Sequence, residues 1–228
     1  MSASNRLPPG QRAVQGFPRF GPGLGAPLPN LPDQPTLTVT GAVQHELRLP
    51  LADLAPLTRR EQITDFHCVT TWTRRDLRWE GIAFGEFFNE LVVPACGPRP
   101  DVSHLVFVGA DDYEATMFLE DALADDVLLA DRLDGLPLTP EHGAPLRLVS
   151  PRQYGYKSVK HLVRIELWRE RPPGKLGAKE HQRARVWREE RHAWIPARLL
   201  RLPYRLAIPL TARGYRRAMG ARSRTDLR

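Results

Sequence analysis

Apolar and polar residues alternate strictly along Thr36-Leu37-Thr38-Val39-Thr40, a period of two that sends Leu37 and Val39 to one face of a half-buried strand ending at Gly41. Leu47, Leu49 and Leu51 repeat the alternation, so regular structure begins with two strands. At Phe84, Phe87, Phe88 and Leu91 the spacing becomes helical, which predicts a short helix over residues 84–93 stopped by Pro94. His104-Leu105-Val106-Phe107-Val108-Gly109 reads as a buried strand. Residues 126–130, 145–150 and 162–168 are further strand candidates. Turn chemistry separates them at Asp134-Gly135, His142-Gly143 and Gln153-Tyr154-Gly155. Many strands and few short helices, without regular βαβ alternation or internal repeats, predict an α+β fold built on a mixed sheet.

The two ends differ from this middle. Residues 1–35 hold eight Pro and five Gly. Proline removes backbone donors and fixes φ, so the segment reads as an extended arm rather than a helix or central strand. It is either a loose leader or an arm laid over the domain and pinned by Phe17 and Phe20. The remainder divides into a domain over 36–170 and an extension over 171–228. Charge divides at the same place: residues 1–170 carry 17 basic and 22 acidic side chains, residues 171–228 carry 16 and 4. The formal net charge of +7 therefore comes from a basic C-terminal tail, and an acidic body argues against nucleic acid as the partner of the whole chain. Within residues 194–218, leucines interleave with arginines, and Pro196, Pro203 and Pro209 predict short pieces rather than one long helix. The tail reads as a strap packed on the domain with its arginines in water, or as a basic amphipathic surface for anionic lipid or an acidic partner. No apolar stretch is long enough to span a bilayer. The N-terminus lacks a secretory pattern, and two Cys 28 positions apart suit a reducing compartment, so the expected location is the cytoplasm.

Candidate chemistry is sparse. There is no phosphate-binding glycine loop between strand and helix, no CxxC, no HExxH and no Gly-x-Ser-x-Gly elbow. Adjacent His67 and Cys68 lack a second ligand pair at zinc spacing. One thiol stands out, in Asp65-Phe66-His67-Cys68-Val69-Thr70-Thr71-Trp72, followed by Trp79-Glu80-Gly81. Cys96 lies in no comparable setting and reads as an incidental thiol. His142, Arg147, Lys157, Ser158 and Lys160 form a dense run of donors at strand ends and turns, suited to a large anionic, hydrogen-bond-rich ligand. On a strand, Arg147 shares a face with Val149 and opposes Leu146 and Leu148.

These segments together resemble the molybdopterin-binding domain of the sulfite oxidase family, from about residue 36 to residue 170. Cys68-Val69-x-x-Trp72 with Trp79-x-Gly81 is similar to the segment carrying the molybdenum-ligating Cys in the family's bacterial methionine-sulfoxide-reductase branch. Phe107-x-Gly109-x-Asp111 and Tyr113-x-Ala115-Thr116 resemble its active-site Asp and Tyr region. His142-Gly143-x-Pro145-x-Arg147 and Lys157-Ser158-Val159-Lys160 resemble its pterin- and phosphate-holding elements.

The resemblance implies a mononuclear molybdenum-molybdopterin oxidoreductase that moves an oxygen atom to or from a small S-oxide, N-oxide or sulfite-like oxoanion. It implies Cys68 as metal ligand, because a soft thiolate suits such a metal, and Tyr113 as a hydrogen-bond donor near the labile oxygen. His142, Arg147, Ser158, Val159 and Lys160 would bind pterin and phosphate, with Asp111 a weaker contact. The Arg-Arg that sulfite oxidases carry shortly after the ligand Cys is not reproduced, since Arg74-Arg75 lie farther on. No haem signature is visible, so electrons are expected to come from or go to a separate partner, and the basic tail is a candidate dock for an acidic one. Two other classes fit parts of the chain: a metal-free scaffold of the same fold, and a basic surface-binding protein.

Overall fold

The computed structural model describes residues 6–15, 28–173 and 180–209. Eleven strands are seen among them: β1 (Arg12–Ala13), β2 (Thr36–Gly41), β3 (Leu47–Pro50), β4 (Arg59–His67), β5 (Trp72–Ala83), β6 (His104–Gly109), β7 (Glu114–Phe118), β8 (Leu128–Leu133), β9 (Leu136–Pro137), β10 (Arg147–Val149) and β11 (Leu162–Trp168). They form two mixed sheets. One runs β3-β2-β11-β6-β7; the other runs β1-β5-β8-β10, with β4 paired to β5 and β9 to β8. The expected opening pair is present, with Leu37 opposite Leu49 and Val39 opposite Leu47. Strand β11 lies parallel to β2 and antiparallel to β6, joining the start of the fold to its end.

The principal core collects the inward faces of β2, β6, β7 and β11 with Ile82, Leu129, Leu146 and Leu148 from the other sheet. Phe84, Phe87 and Phe88 fill it from the helical segment. That segment is α1 (Phe84–Phe87), a π turn (Phe88–Val92) and α2 (Val93–Cys96). Pro94 therefore does not stop it. Proline has no N–H for the usual i→i−4 bond, and the wider π turn carries the chain past that position. Gly97, left-handed at φ 57 with its amide bonded to the Val93 carbonyl, ends the helix. A second, smaller cluster lies on the opposite face of the β5-β8-β10 sheet: Leu77, Trp79, Leu128, Ala130 and Val149, flanked by Phe66 and Ala144.

The described residues 6–15 and 180–209 lie on this body. From the N-terminal arm, β1 adds in parallel to the start of β5, Arg12 opposite Trp72; Phe17 and Phe20 fall outside the described residues. From the C-terminal extension, Gln153 pairs with Arg185 in an isolated bridge, and Ala184 and Val186 are buried against Tyr154. Residues 197–209 are helical straight through Pro203, against the expectation of short pieces. The cost is local, because Pro203 removes the i+4 donor of the Leu199 carbonyl and Pro209 that of the Arg205 carbonyl.

Candidate active site

Cys68 begins the tight turn between β4 and β5. Its N–H donates to the Trp72 carbonyl (2.9 Å), and its carbonyl accepts from Thr71 N–H (3.2 Å) and from Gln11 Nε2 (3.1 Å). Thr71 is fully buried and sits at φ 78. A β-branched residue is strained there by about 1–3 kcal/mol, and such strain concentrates at functional turns. The Cys68 thiol is partly buried, 3.1 Å from Thr70 Oγ1. Burial pushes its pKa up; the Thr70 hydroxyl and the Arg191 charge pull the other way. A bound cation would complete that pull and ionise the sulfur. Next to it, His67 is buried and held down to about 4, so its imidazole is neutral; its Nδ1 lies 2.9 Å from Thr73 Oγ1.

Arg147 stands on β10 with Val149, away from Leu146 and Leu148, as the alternation requires. It is not in water. It is fully buried, with its guanidinium 4.8 Å from the Trp79 ring and 5.8 Å from the Phe66 ring. Nη1 donates to the His142 carbonyl (2.8 Å) and Nη2 to the Ser158 carbonyl (3.4 Å). Burial alone drives its pKa down to about 9, and no carboxylate pairs with it among the described residues. A buried cation balanced by carbonyl dipoles and ring faces is poised for an anion. The Trp79 indole Nε1 beside it is buried without a hydrogen-bond acceptor among the described residues.

Tyr113 is within electrostatic reach of Cys68. Burial raises its pKa first, with the charges of Glu180, Asp111 and Cys68 adding to the rise, and its hydroxyl donates to the Tyr156 carbonyl (2.7 Å). Asp111 is exposed, and its carboxylate lies 3.4 Å from Tyr113 N. His142 has Nδ1 2.9 Å from Thr139 Oγ1, and burial followed by the Lys160 and Arg147 charges lowers its pKa.

The Lys157-Ser158-Val159-Lys160 turn differs from expectation. Lys157 does not offer its ammonium to a ligand: it is buried, bonded to Glu180 and to the Thr116 carbonyl, each at 2.5 Å. The Ser158 hydroxyl accepts from Ser150 N–H (3.1 Å). Ser158 N–H donates to the Gly155 carbonyl and Val159 N–H to the Lys157 carbonyl, so both amides already have acceptors within the turn. Val159 is a core residue, and Lys160 Nζ donates to the Glu141 carbonyl. These donors are turned onto one another because the turn closes its own backbone bonds. A cavity of about 220 Å³ lies on the other sheet, lined by Leu31, Pro35, Thr38, Arg48 and Arg164, away from Cys68.

What the sequence reading missed came from the ends of the chain. Arg191 is buried at 1% exposure and stacks 4.9 Å from the Tyr154 ring. It donates to Val69 and Pro9 carbonyls, so one side chain ties the tail to the Cys68 turn and to the arm. Tyr204 on the C-terminal helix also lies within electrostatic reach of Cys68. Gly155 is the other unforeseen residue: a Cβ there would strike the Phe66 ring, so its absence lets the 155–158 turn meet the β4–β5 hairpin. Only the aromatic spacing Phe66, Trp72, Tyr154, Tyr156 hinted at this packing.

Comparison with known proteins fits this geometry. Residues 25–176 match the family model described as the oxidoreductase molybdopterin binding domain. The chain belongs to that family. It is 33% identical to the uncharacterized oxidoreductase YuiH of Bacillus subtilis, over 84% of this chain and 94% of that one. It is 28% identical to the protein-methionine-sulfoxide reductase catalytic subunit MsrP of Campylobacter jejuni and 30% identical to that of Gluconobacter oxydans, each match covering 60% of this chain. The chain spans about half the length of those two relatives (50% and 48%). The sulfane dehydrogenase SoxCD structure from Paracoccus pantotrophus shares the fold, with TM-score 0.57 over 70% of this chain and 46% of that one, at 22% identity. The protein is a molybdopterin-family oxidoreductase, and the donor set suits that cofactor: a soft thiol on a partly buried turn, a buried guanidinium without a carboxylate among the described residues, and an indole N–H without an acceptor among them.

Proposed function

We propose that this oxidoreductase moves an oxygen atom to or from a small substrate, with Cys68 as the protein ligand of a molybdenum-molybdopterin cofactor. When bound, that cofactor supplies a two-electron centre able to accept or release an oxygen atom. The chain's part is to hold and tune it. Cys68 binds the metal as a thiolate, and the low exposure of its turn keeps bulk water back. Arg147 and Lys160 supply cationic donors to the pterin and its phosphate. His142, Ser158 and Val159 contribute side-chain or backbone hydrogen bonds once the 155–160 turn opens, and Asp111 makes an outer contact. Tyr113, kept protonated by burial, would turn its hydroxyl from the Tyr156 carbonyl to donate a hydrogen bond at the reacting oxygen.

One observation carries this reading: the turn bearing Cys68 packs through Val69 against the Tyr154 and Tyr156 cluster, with Tyr113 within electrostatic reach of the thiol, inside the region that matches the family. An S-oxide is the favoured substrate class, given the methionine-sulfoxide-reductase relatives and the missing Arg-Arg pair. Reduction of an S-oxide consumes two electrons and two protons and releases water, so a separate electron carrier completes the cycle. No haem site is assigned to the chain, and the cytoplasm remains the proposed location.

The test is elemental. Protein purified from a cofactor-competent host should carry about one molybdenum per chain, and Cys68→Ser should lose it together with dye-linked reduction of methionine sulfoxide. A parallel panel of an N-oxide and sulfite fixes the substrate class. Wild-type protein free of metal and pterin overturns the reading.

A further inference from the structure

The C-terminal helix has its amphipathicity reversed. In residues 197–209, Leu199, Leu202 and Leu206 fall at i, i+3 and i+7 on one stripe, and they are 62%, 65% and 67% exposed. Pro203 and Pro209 share that outward side. The opposite side, carrying Tyr204, Arg205 and Ile208, is turned toward the body, and Arg201 is bonded to Glu189 (Nε–Oε1 2.9 Å). A helix packed on a soluble domain places leucines inward and charges outward. This one does the opposite. Trp194, 78% exposed, and Ile195, 41% exposed, lie just before its first turn, and Trp187, 53% exposed, precedes them. Exposed Arg188 and Arg198 accompany the stripe.

We infer that this ridge is an interfacial anchor that lays the protein on an anionic lipid surface. Two features select lipid over a protein partner. Side chains about two-thirds exposed stand proud of the surface as a ridge, whereas a protein partner would need a groove of its own to receive them. Leucines with a neighbouring tryptophan are the residue types that enter the headgroup–acyl boundary, where an indole keeps its N–H wet and its ring apolar. Charge selects the lipid: residues 171–228 carry 16 basic and 4 acidic side chains, which favour an anionic leaflet. A phosphate backbone would use the arginines but leave the leucines in water. The inference stands independently of the cofactor and substrate.

The experiment is co-sedimentation of the full-length protein with phosphatidylcholine vesicles, with and without phosphatidylglycerol. The wild type should sediment with the anionic vesicles and stay in solution with the neutral ones. Trp194 emission should shift to the blue on binding, a shift lost in Trp194→Phe. The variant L199S/L202S/L206S should bind at least tenfold more weakly with an unchanged thermal melt, since those side chains make no core. Three results overturn the inference: wild type left in solution with anionic vesicles, undiminished binding of the triple variant, or a concentration-dependent dimer that the triple variant abolishes in sedimentation velocity. The last would assign the ridge to a second copy of the chain.

Discussion

Arg147 and Arg191 are buried guanidiniums with different tasks. Arg147 is balanced by carbonyls and two aromatic rings and has no carboxylate among the described residues, the electrostatics of a site awaiting an anion. Arg191 has its acceptors already, in Val69, Pro9 and Glu189, and acts as a rivet between three chain segments. Arg191→Ala takes the donor from two part-buried carbonyls and opens a space beside Tyr154, and stability should fall by about 3 kcal/mol. Its melting temperature should drop by roughly 6–12 °C, and limited proteolysis should cut the arm near Gly10 faster than in the wild type. Gly155 works through what it lacks. Gly155→Ala drives a methyl into Phe66, an overpacking that should cost about 1–3 kcal/mol. It should also lower molybdenum content, because Phe66 flanks Arg147 and precedes Cys68 by two residues.

Among the elements, the β4–β5 hairpin carries the most consequence. Its twelve-residue second strand takes β1, β4 and β8 as partners, so the strained Cys68 turn at its tip is anchored from several sides. The polar, arginine-rich sequence Thr73-Arg74-Arg75-Asp76 gave no hydrophobic alternation, and both strands escaped the sequence reading for that reason; β7 escaped similarly. The 155–160 turn depends on another element, the start of the tail, through the buried Lys157–Glu180 pair. Glu180→Ala strands a buried ammonium, whose pKa burial already lowers, and should cost about 3–5 kcal/mol. The double change K157M/E180L should recover most of that loss in denaturant melts, because it removes both charges together. Equal melts for the single and double variants would refute the pairing.

For the whole molecule, acid is the expected weakness. His104 and His181 are held below the ordinary imidazole value, chiefly by burial. The unfolded chain therefore takes up protons first, and stability falls as pH drops below about 6.5. Glu189 and Glu190 are held below the usual carboxylate value, Glu189 chiefly by Arg201, and Glu190 against an opposing push from burial by its bonds to Arg185 with the His181 charge. Their contribution is present above about 4.5 and disappears as they protonate below it. Thermal melts from pH 7.5 downward should show a decline beginning near 6.5 and steepening below 4.5; a flat profile to pH 5 would contradict the histidine assignment.

The sequence by itself determined whatever depends on period and local chemistry. It placed the Leu37/Val39 strand, the His104–Gly109 strand, the face on which Arg147 stands, the α+β class and the one thiol with a motif around it. Those properties repeat over two to four residues and survive any packing. Only the tertiary structure decided that Arg147 is buried, that Lys157 turns inward to Glu180, that Arg191 grips the cysteine turn, and that the C-terminal helix presents leucines to solvent. Each of these depends on residues far apart in sequence meeting in space, and on the balance between desolvating a charge and finding it a partner. No local pattern encodes that balance.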